Sequence, residues 1–280
     1  MASRSGIRRR LRTSALLLTP MLLPLPAAAA AAPAEPEVAC TSMDVELAYR
    51  LGRDILDAVG ARDASTAVYV HDRVTDTSCE LGADRAFDSA SVVKVTVLGA
   101  LLLDAQRQGR RLSERERGLA RAMITASDNA STTALWRQLG VAKVERFLRA
   151  AGMKSTVPGA GDYWGLTRIT ARDQGRLLAL LTGDGGPLSG RSRAYALTLM
   201  REVTPDQRWG TPAGAPAHTT AHLKNGWLPR ATRGWRVHSI GAFTGPGRDY
   251  TITVLTQDNA DMSQGVRTIE AVSRAVHRNL

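Results

Sequence analysis

Lysine is almost missing from this 280-residue chain: of its 37 basic residues, 33 are arginine. Arginine cannot lose its proton in a protein, whereas lysine can be tuned to do so by burial and by nearby positive charge. The few lysines therefore point to positions where an amine is needed. Two of the four, Lys94 and Lys224, sit in short polar motifs, Ser91-Val92-Val93-Lys94 and Lys224-Asn225-Gly226. Lys143 and Lys154 lie in ordinary amphipathic or loop contexts. Other absences narrow the function. No basic block is interleaved with aromatics, so nucleic-acid binding has no support. No Gly-x-Ser-x-Gly elbow, phosphate loop or zinc signature is present. His218 and His222 are four apart, but they precede a predicted strand and lack a third ligand. No metal or cofactor is expected.

The N-terminus lacks an unbroken apolar run. Arg8, Arg9, Arg10 and Arg12 precede an apolar stretch from Ser14 to Pro26 that prolines interrupt, and small residues follow from Ala27 to Ala34. This pattern predicts a cleaved signal peptide over residues 1–34 rather than a membrane span. A secreted, extracytoplasmic protein of the cell envelope is expected. Removing the five leader arginines leaves 32 basic and 26 acidic residues, a net charge of +6. Cysteine is limited to Cys40 and Cys79. Lipidation at Cys40 is disfavoured because Glu37 stands where an aliphatic residue is wanted. In an exported chain the pair suggests one disulfide instead, contributing up to ~4 kcal/mol by loop closure.

Hydrophobic periodicity supplies the elements. Apolar residues at helical spacing predict a helix over Met43–Val59, ended by Gly60, and strands are expected at Thr66–His71 and Thr77–Leu81. Six helices are then predicted, over Ser91–Gln108, Ser113–Ala126, Ala130–Leu139, Lys143–Ala151, Ala171–Leu181 and Arg191–Glu202. Thr204–Pro216 reads as a loop rich in proline and glycine. Strands return at Thr219–Trp227, Trp235–Gly241 and Tyr250–Gln257, before a last helix over Ser263–Asn279. Strands at both ends with helices between imply an α+β fold. An antiparallel sheet would be built from N- and C-terminal segments, flanked by helices, with an inserted all-helical lobe. Residues 35–280 are expected to be a single domain, with an α/β lobe at about 40–88 and 217–280 and a helical lobe at about 89–216.

Ser91 and Lys94 are three apart at a predicted helix start, so they share one face a turn apart. The lysine amine can then reach the serine hydroxyl, and the helix N-terminus offers unpaired N–H groups to a developing oxyanion. Ser127-Asp128-Asn129 lies between two helical stretches, and Lys224-Asn225-Gly226 lies in the first late strand. Each motif alone is a common cap, turn or bulge. Together and in this order they resemble the penicillin-recognising serine hydrolases, specifically the class A β-lactamase branch. Phe87-Asp88-Ser89-Ala90, Met123-Ile124-Thr125-Ala126 and Ile169-Thr170-Ala171-Arg172-Asp173 extend the likeness, which spans roughly Asp44 to Leu280.

The resemblance implies a β-lactamase/transpeptidase-like fold and an acyl-serine mechanism. Ser91 would attack a carbonyl, Lys94 would take its proton, and Ser127 would pass that proton to the leaving nitrogen. Asn129 would bind a substrate amide, and Lys224 would hold a substrate carboxylate. Asn225, Gly226 and Trp227 would complete the binding edge, and the N–H groups of Ser91 and Trp227 would form the oxyanion hole. Three departures qualify this. Asn225 replaces the family's threonine. Ser91 and Ser127 are only 36 residues apart, so one wall of the cleft is missing. The family's deacylating glutamate is absent from Gly159-Ala160-Gly161-Asp162-Tyr163-Trp164-Gly165-Leu166, where Asp162 is the nearest substitute and a turn role competes for it. The expected function is an exported serine hydrolase acting on β-lactams or related amides and esters, monomeric and slow to deacylate. The rival readings are a D-alanyl-peptide carboxypeptidase or esterase that would accept a cell-wall peptide, and a non-catalytic binding protein that keeps the fold.

Overall fold

The computed structural model describes residue 2 and residues 37–280. Apart from Ala2, the expected leader lies outside the described residues. No described helix is long and apolar enough to cross a membrane.

The chain opens with a short strand, β1 (Ala39–Thr41), and a helix, α1 (Val45–Val59). Asp44 caps α1 by accepting the Leu47 N–H at 3.0 Å, so the helix begins two residues later than its apolar pattern suggests. Leu47, Leu51, Ile55 and Val59 form its buried stripe. Strands β2 (Thr66–Asp72) and β3 (Thr77–Leu81) pair as a hairpin. The sequence pattern does not reveal β1, which is three residues long and pairs with β3 at Cys40 opposite Cys79. The disulfide expected between these cysteines joins the two strands there.

A two-residue strand, β4 (Phe87–Asp88), leads through a tight 3-10 turn (Ala90–Val92) into α2 (Val93–Arg107). The helices α3 (Glu114–Thr125) and α4 (Asn129–Ala150) follow. The two helices expected within 130–151 form one run broken at Gly140, whose φ of 67° only glycine adopts freely. β5 (Arg168–Ile169), α5 (Ala171–Thr182) and α6 (Gly190–Arg201) complete the insertion. The late strands are β6 (Thr220–Pro229), β7 (Trp235–Gly245) and β8 (Arg248–Asn259), and α7 (Met262–Asn279) closes the chain. β7 and β8 run longer than their patterns suggest because they meet in a tight turn at Pro246-Gly247.

The main sheet is antiparallel, in the order β1-β3-β2-β8-β7-β6. It bears out the expected α+β arrangement of strands from both ends of the chain. Strand alternation sends residues to two separate cores. Val68, Val70, Val237, Phe243 and Val254 pack against α1 and α7. Ala67, Ile240, Ala242 and Leu255 face the helices of the insertion. α2 is buried along most of its length within this second core, which fixes its first turn against β6.

The disulfide pins a three-residue edge strand that has little else to hold it. Replacing both cysteines by alanine should lower the unfolding free energy by about 2–4 kcal/mol in urea melts. Reducing the wild-type protein should give a similar loss, and no change in either would show that β1 is held by its strand pairing alone.

Candidate active site

Three elements meet at one oxygen. Lys94, in the first turn of α2, and Lys224, on β6, are both 0 % exposed. The Lys94 amine donates to Ser127 Oγ at 3.1 Å, and the Lys224 amine donates to the same oxygen at 3.0 Å. Ser127 occupies the connection between α3 and α4 with a φ of 58°, in the left-handed region that non-glycine residues rarely adopt. Holding it there costs roughly 1–3 kcal/mol, strain of a kind found at functional sites. The next residue, Asp128, caps α4 by accepting the Ser131 N–H at 2.6 Å, and so fixes the turn that presents Ser127.

The remaining Lys94 donors go to the Ser127 carbonyl and to Asn129 Oδ1, the latter at 2.8 Å. Lys224 also donates to the Asn225 carbonyl at 2.9 Å. Burial pushes the Lys94 amine down to about 8, although Asp128 opposes the shift. Burial, followed by the charge of Lys94, holds Lys224 well below the ordinary lysine value. Two like charges sharing one acceptor titrate as a pair. Both are pressed toward the neutral amine, the form that can accept a proton.

Ser91 lies beside this cluster, partly exposed, in the 3-10 turn rather than in the α-helix expected to begin with it. Its hydroxyl has no hydrogen bond to Lys94, whose donors point to Ser127 and Asn129. Ala90, immediately before it, also has a positive φ, of 46°. The Ser91 backbone is pressed against β6: a Cβ on Gly226 would lie 2.7 Å from the Ser91 nitrogen and 2.8 Å from that of Val92. Only a glycine allows this approach, which brings the Ser91 turn against the sheet edge.

Asn225 is elsewhere. Strand alternation puts Lys224 and Gly226 on the face toward α2 and Asn225 on the opposite face. There it is fully buried, and its amide donates to the Gln207 and Trp209 carbonyls, both at 2.8 Å. The substrate contact expected of its side chain is thus replaced by a staple to the 205–209 segment. Trp227 projects its ring to that same side, tilted against Trp209 at 5.9 Å. Asp162, the expected substitute base, is exposed and held by Arg137 in a bidentate ion pair, which keeps its carboxyl below the usual range.

Sequence patterns missed two residues here. The Trp164 ring lies 5.0 Å from the Lys94 amine, in cation–π range, and its indole N–H donates to Thr133 Oγ1 at 3.1 Å. His238, opposite Gly226 on β7, reads as an ordinary strand residue but is completely buried. Its Nε2 donates to the Asp88 carbonyl at 2.8 Å while Nδ1 accepts the Thr256 N–H at 3.2 Å, and burial lowers it to about 4. The Asp88 carboxylate is flanked by Arg168, Arg230 and Arg236 at 3.5, 3.5 and 3.6 Å. Arg230 and Arg236 follow Lys224-Asn225-Gly226 in the sequence, so the segment after that motif faces this aspartate. His222 is bonded to the Leu197 carbonyl at 2.8 Å, and no cluster of potential metal ligands occurs among the described residues.

Fold and site together bring the Ser91 turn, Ser127 and two buried lysines to one edge of the sheet. The sequence profile of the beta-lactamase enzyme family matches residues 50–117 and 116–280, and the chain belongs to that family. It is 29% identical over 235 residues to the "Putative lipoprotein LppW" of Mycobacterium tuberculosis, a match covering 81% of this chain and 74% of that one. Its fold is similar to that of PBP-A, with a TM-score of 0.72 at 24% identity, over 81% of this chain and 94% of the other. It is also similar to a beta-lactamase from Sphaerobacter thermophilus, with a TM-score of 0.70 at 20% identity, over 81% and 96%.

Gly226→Ala tests the packing of the Ser91 turn. The added methyl has only backbone to displace, so the rate of covalent labelling of the protein by a penicillin should fall by about 10². The strained backbone should also lower the melting temperature by a few degrees, with circular dichroism unchanged. Unchanged labelling would show that the Ser91 turn tolerates displacement.

Proposed function

We propose that this protein is an exported serine hydrolase of the class A β-lactamase type, acylated at Ser91 by β-lactams or by related amides and esters, and slow to deacylate. The observation that carries the reading is the Ser127 hydroxyl held between two buried amines, beside a serine at the sheet edge.

In the proposed mechanism the Ser91 oxygen attacks the substrate carbonyl carbon, and the backbone N–H groups of Ser91 and Trp227 stabilise the oxyanion. The Ser91 proton passes to the neutral Lys94 amine. As the carbon–nitrogen bond breaks, Ser127 gives its proton to the leaving nitrogen and is reprotonated from the lysine pair. An acyl ester on Ser91 and a protonated amine result. Lys224 would donate to a substrate carboxylate, whose charge would favour its protonated form, and the Asn129 amide would meet a substrate amide. Asn225 acts only by fixing the 205–209 segment.

Hydrolysis of the ester needs a second base, aimed at water. Asp162 is engaged by Arg137, and Trp164 presents an apolar ring above Lys94. Losing a positioned base slows such a step by on the order of 10²–10⁴. An accumulating acyl-enzyme follows.

Export is supported by the leader pattern, by the disulfide and by similarity to a protein named as a lipoprotein. In this chain both cysteines are joined to each other, so neither is free to carry a lipid.

One observation favours a D-alanyl peptide or ester as the natural substrate. The α2–α3 connection is confined to residues 108–113, roughly 20 Å along the α2 axis from Lys94. It builds no wall over the cleft, which leaves room for an extended substrate.

Intact mass after mixing with a penicillin tests the reading. A Ser91-dependent adduct persisting for minutes to hours is expected, and none with Ser91→Ala. The sign of the pH dependence follows from Lys94. Below about 8 the amine is protonated, so the acylation rate should rise about tenfold per pH unit toward 8 and then level off. A pH-independent rate would remove the lysine from its role as base. Failure to label at any pH would remove β-lactams as substrates.

A further inference from the structure

A cavity of about 680 Å³ opens at the C-terminal end of α2, away from the first turn that carries Lys94. Leu102 and Ala105 of α2, Leu112 of the α2–α3 connection and Tyr195 of α6 give it an apolar lining. Four arginines, Arg110, Arg111, Arg117 and Arg191, also line it. Glu116 engages Arg110 through both carboxylate oxygens, at 2.7 and 3.0 Å. Arg117 donates to the Leu112 carbonyl at 2.7 Å. Arg111, Arg117 and Arg191 form no ion pair among the described residues.

Cations without counter-charge around an apolar hollow restrict what fits. A neutral apolar molecule would leave the exposed guanidinium groups around the hollow without a counter-charge. A polyanion would satisfy the arginines but leave the apolar lining wet. A peptide would bring backbone groups over side chains that cannot bond them. A monoanion with an apolar body meets both requirements, and the volume is in the range of sites for ligands of that size. We propose that this cavity is a binding site for an anionic amphiphile, with its acidic head among Arg111, Arg117 and Arg191 and its apolar body against Leu102, Leu112 and Tyr195. The site is separate from the serine–lysine cluster and independent of what that cluster acts on.

The test uses the full mature chain and 1-anilinonaphthalene-8-sulfonate, a fluorescent aromatic monoanion. Saturable binding at one site is expected, displaced by decanoate but about tenfold less effectively by decan-1-ol, which has no charge. The paired change Arg111→Glu with Arg191→Glu should weaken binding about tenfold or more, whereas Arg111→Lys with Arg191→Lys should stay within about threefold. Leu112→Glu should abolish binding from the apolar side. All three are exposed or half-exposed positions, and circular dichroism and thermal melts would verify that the variants fold. Absent or unsaturable fluorescence, or charge-reversed protein that binds as tightly as wild type, would overturn the proposal.

Discussion

Two amines buried together against one hydroxyl oxygen place demands on the rest of this structure. Neither Lys94 nor Lys224 has a carboxylate within bonding reach, and an ordinary lysine so placed would be strongly destabilising. Holding Lys94 near 8 rather than 10.5 corresponds to about 3 kcal/mol between its two protonation states. Between these values the unfolded chain binds more protons than the folded one, so stability rises with pH across that window. At neutral pH the fold therefore carries this cost, which the two cores on either side of the sheet must offset. The anchoring elements have different origins: α2 is buried along most of its length, β6 is paired along ten residues, and the Ser127 turn is capped by Asp128. A site built from rigid elements can hold amines in a place that solvation alone would empty.

The Ser91 turn depends on a second layer. β4 is only two residues long and could not be positioned by its own strand pairing. Its backbone is held instead by the buried His238, which donates to the Asp88 carbonyl, and by three arginines around the Asp88 carboxylate. The Ser89 N–H donates to the Thr167 carbonyl at 2.8 Å, tying the same turn to the segment that carries Trp164. His238 is held near 4, so it stays neutral through the range in which the lysine pair changes charge. The support does not titrate while the chemistry does. This separation lets a pH profile report on the amines and not on collapse of the turn.

The legible part of the site was legible because short polar motifs mark it. Ser91, Lys94, Ser127 and Lys224 stand out by their order along the chain and by the rarity of lysine, and long helices stand out by their periodicity. What the patterns hid has physical reasons. The face of Asn225 was in principle readable, since a strand residue next to Lys224 must point the other way, but motif resemblance overrode alternation. His238 sits in a strand of mixed composition, and nothing local says that its ring reaches across 150 positions to the Asp88 carbonyl. Trp164 lies in a glycine-rich connection without periodicity, so only tertiary packing places its ring over Lys94. The short strands β1, β4 and β5 carry too few residues to alternate; pairing with distant partners defines them.

On the proposed reading, the two halves of an acyl-transfer cycle depend on different sides of the site. Acylation needs a base for the serine and an acid for the leaving nitrogen, and the Lys94–Ser127–Lys224 cluster can supply both from one connected set of atoms. Deacylation needs a base beyond the acyl ester, where water would approach. The lysines are gathered on the Ser127 side, where they bond Ser127, Asn129 and the Asn225 carbonyl. On the Trp164 side an indole ring, not a carboxylate, lies over Lys94, and it is anchored through Thr133. A carboxylate introduced there would also pair with Lys94 and raise its pKa, improving the second step at the expense of the first. That coupling gives a physical reason for the site to favour one step: a neutral amine for acylation and an anionic base for deacylation oppose each other when they share a few ångströms of buried space.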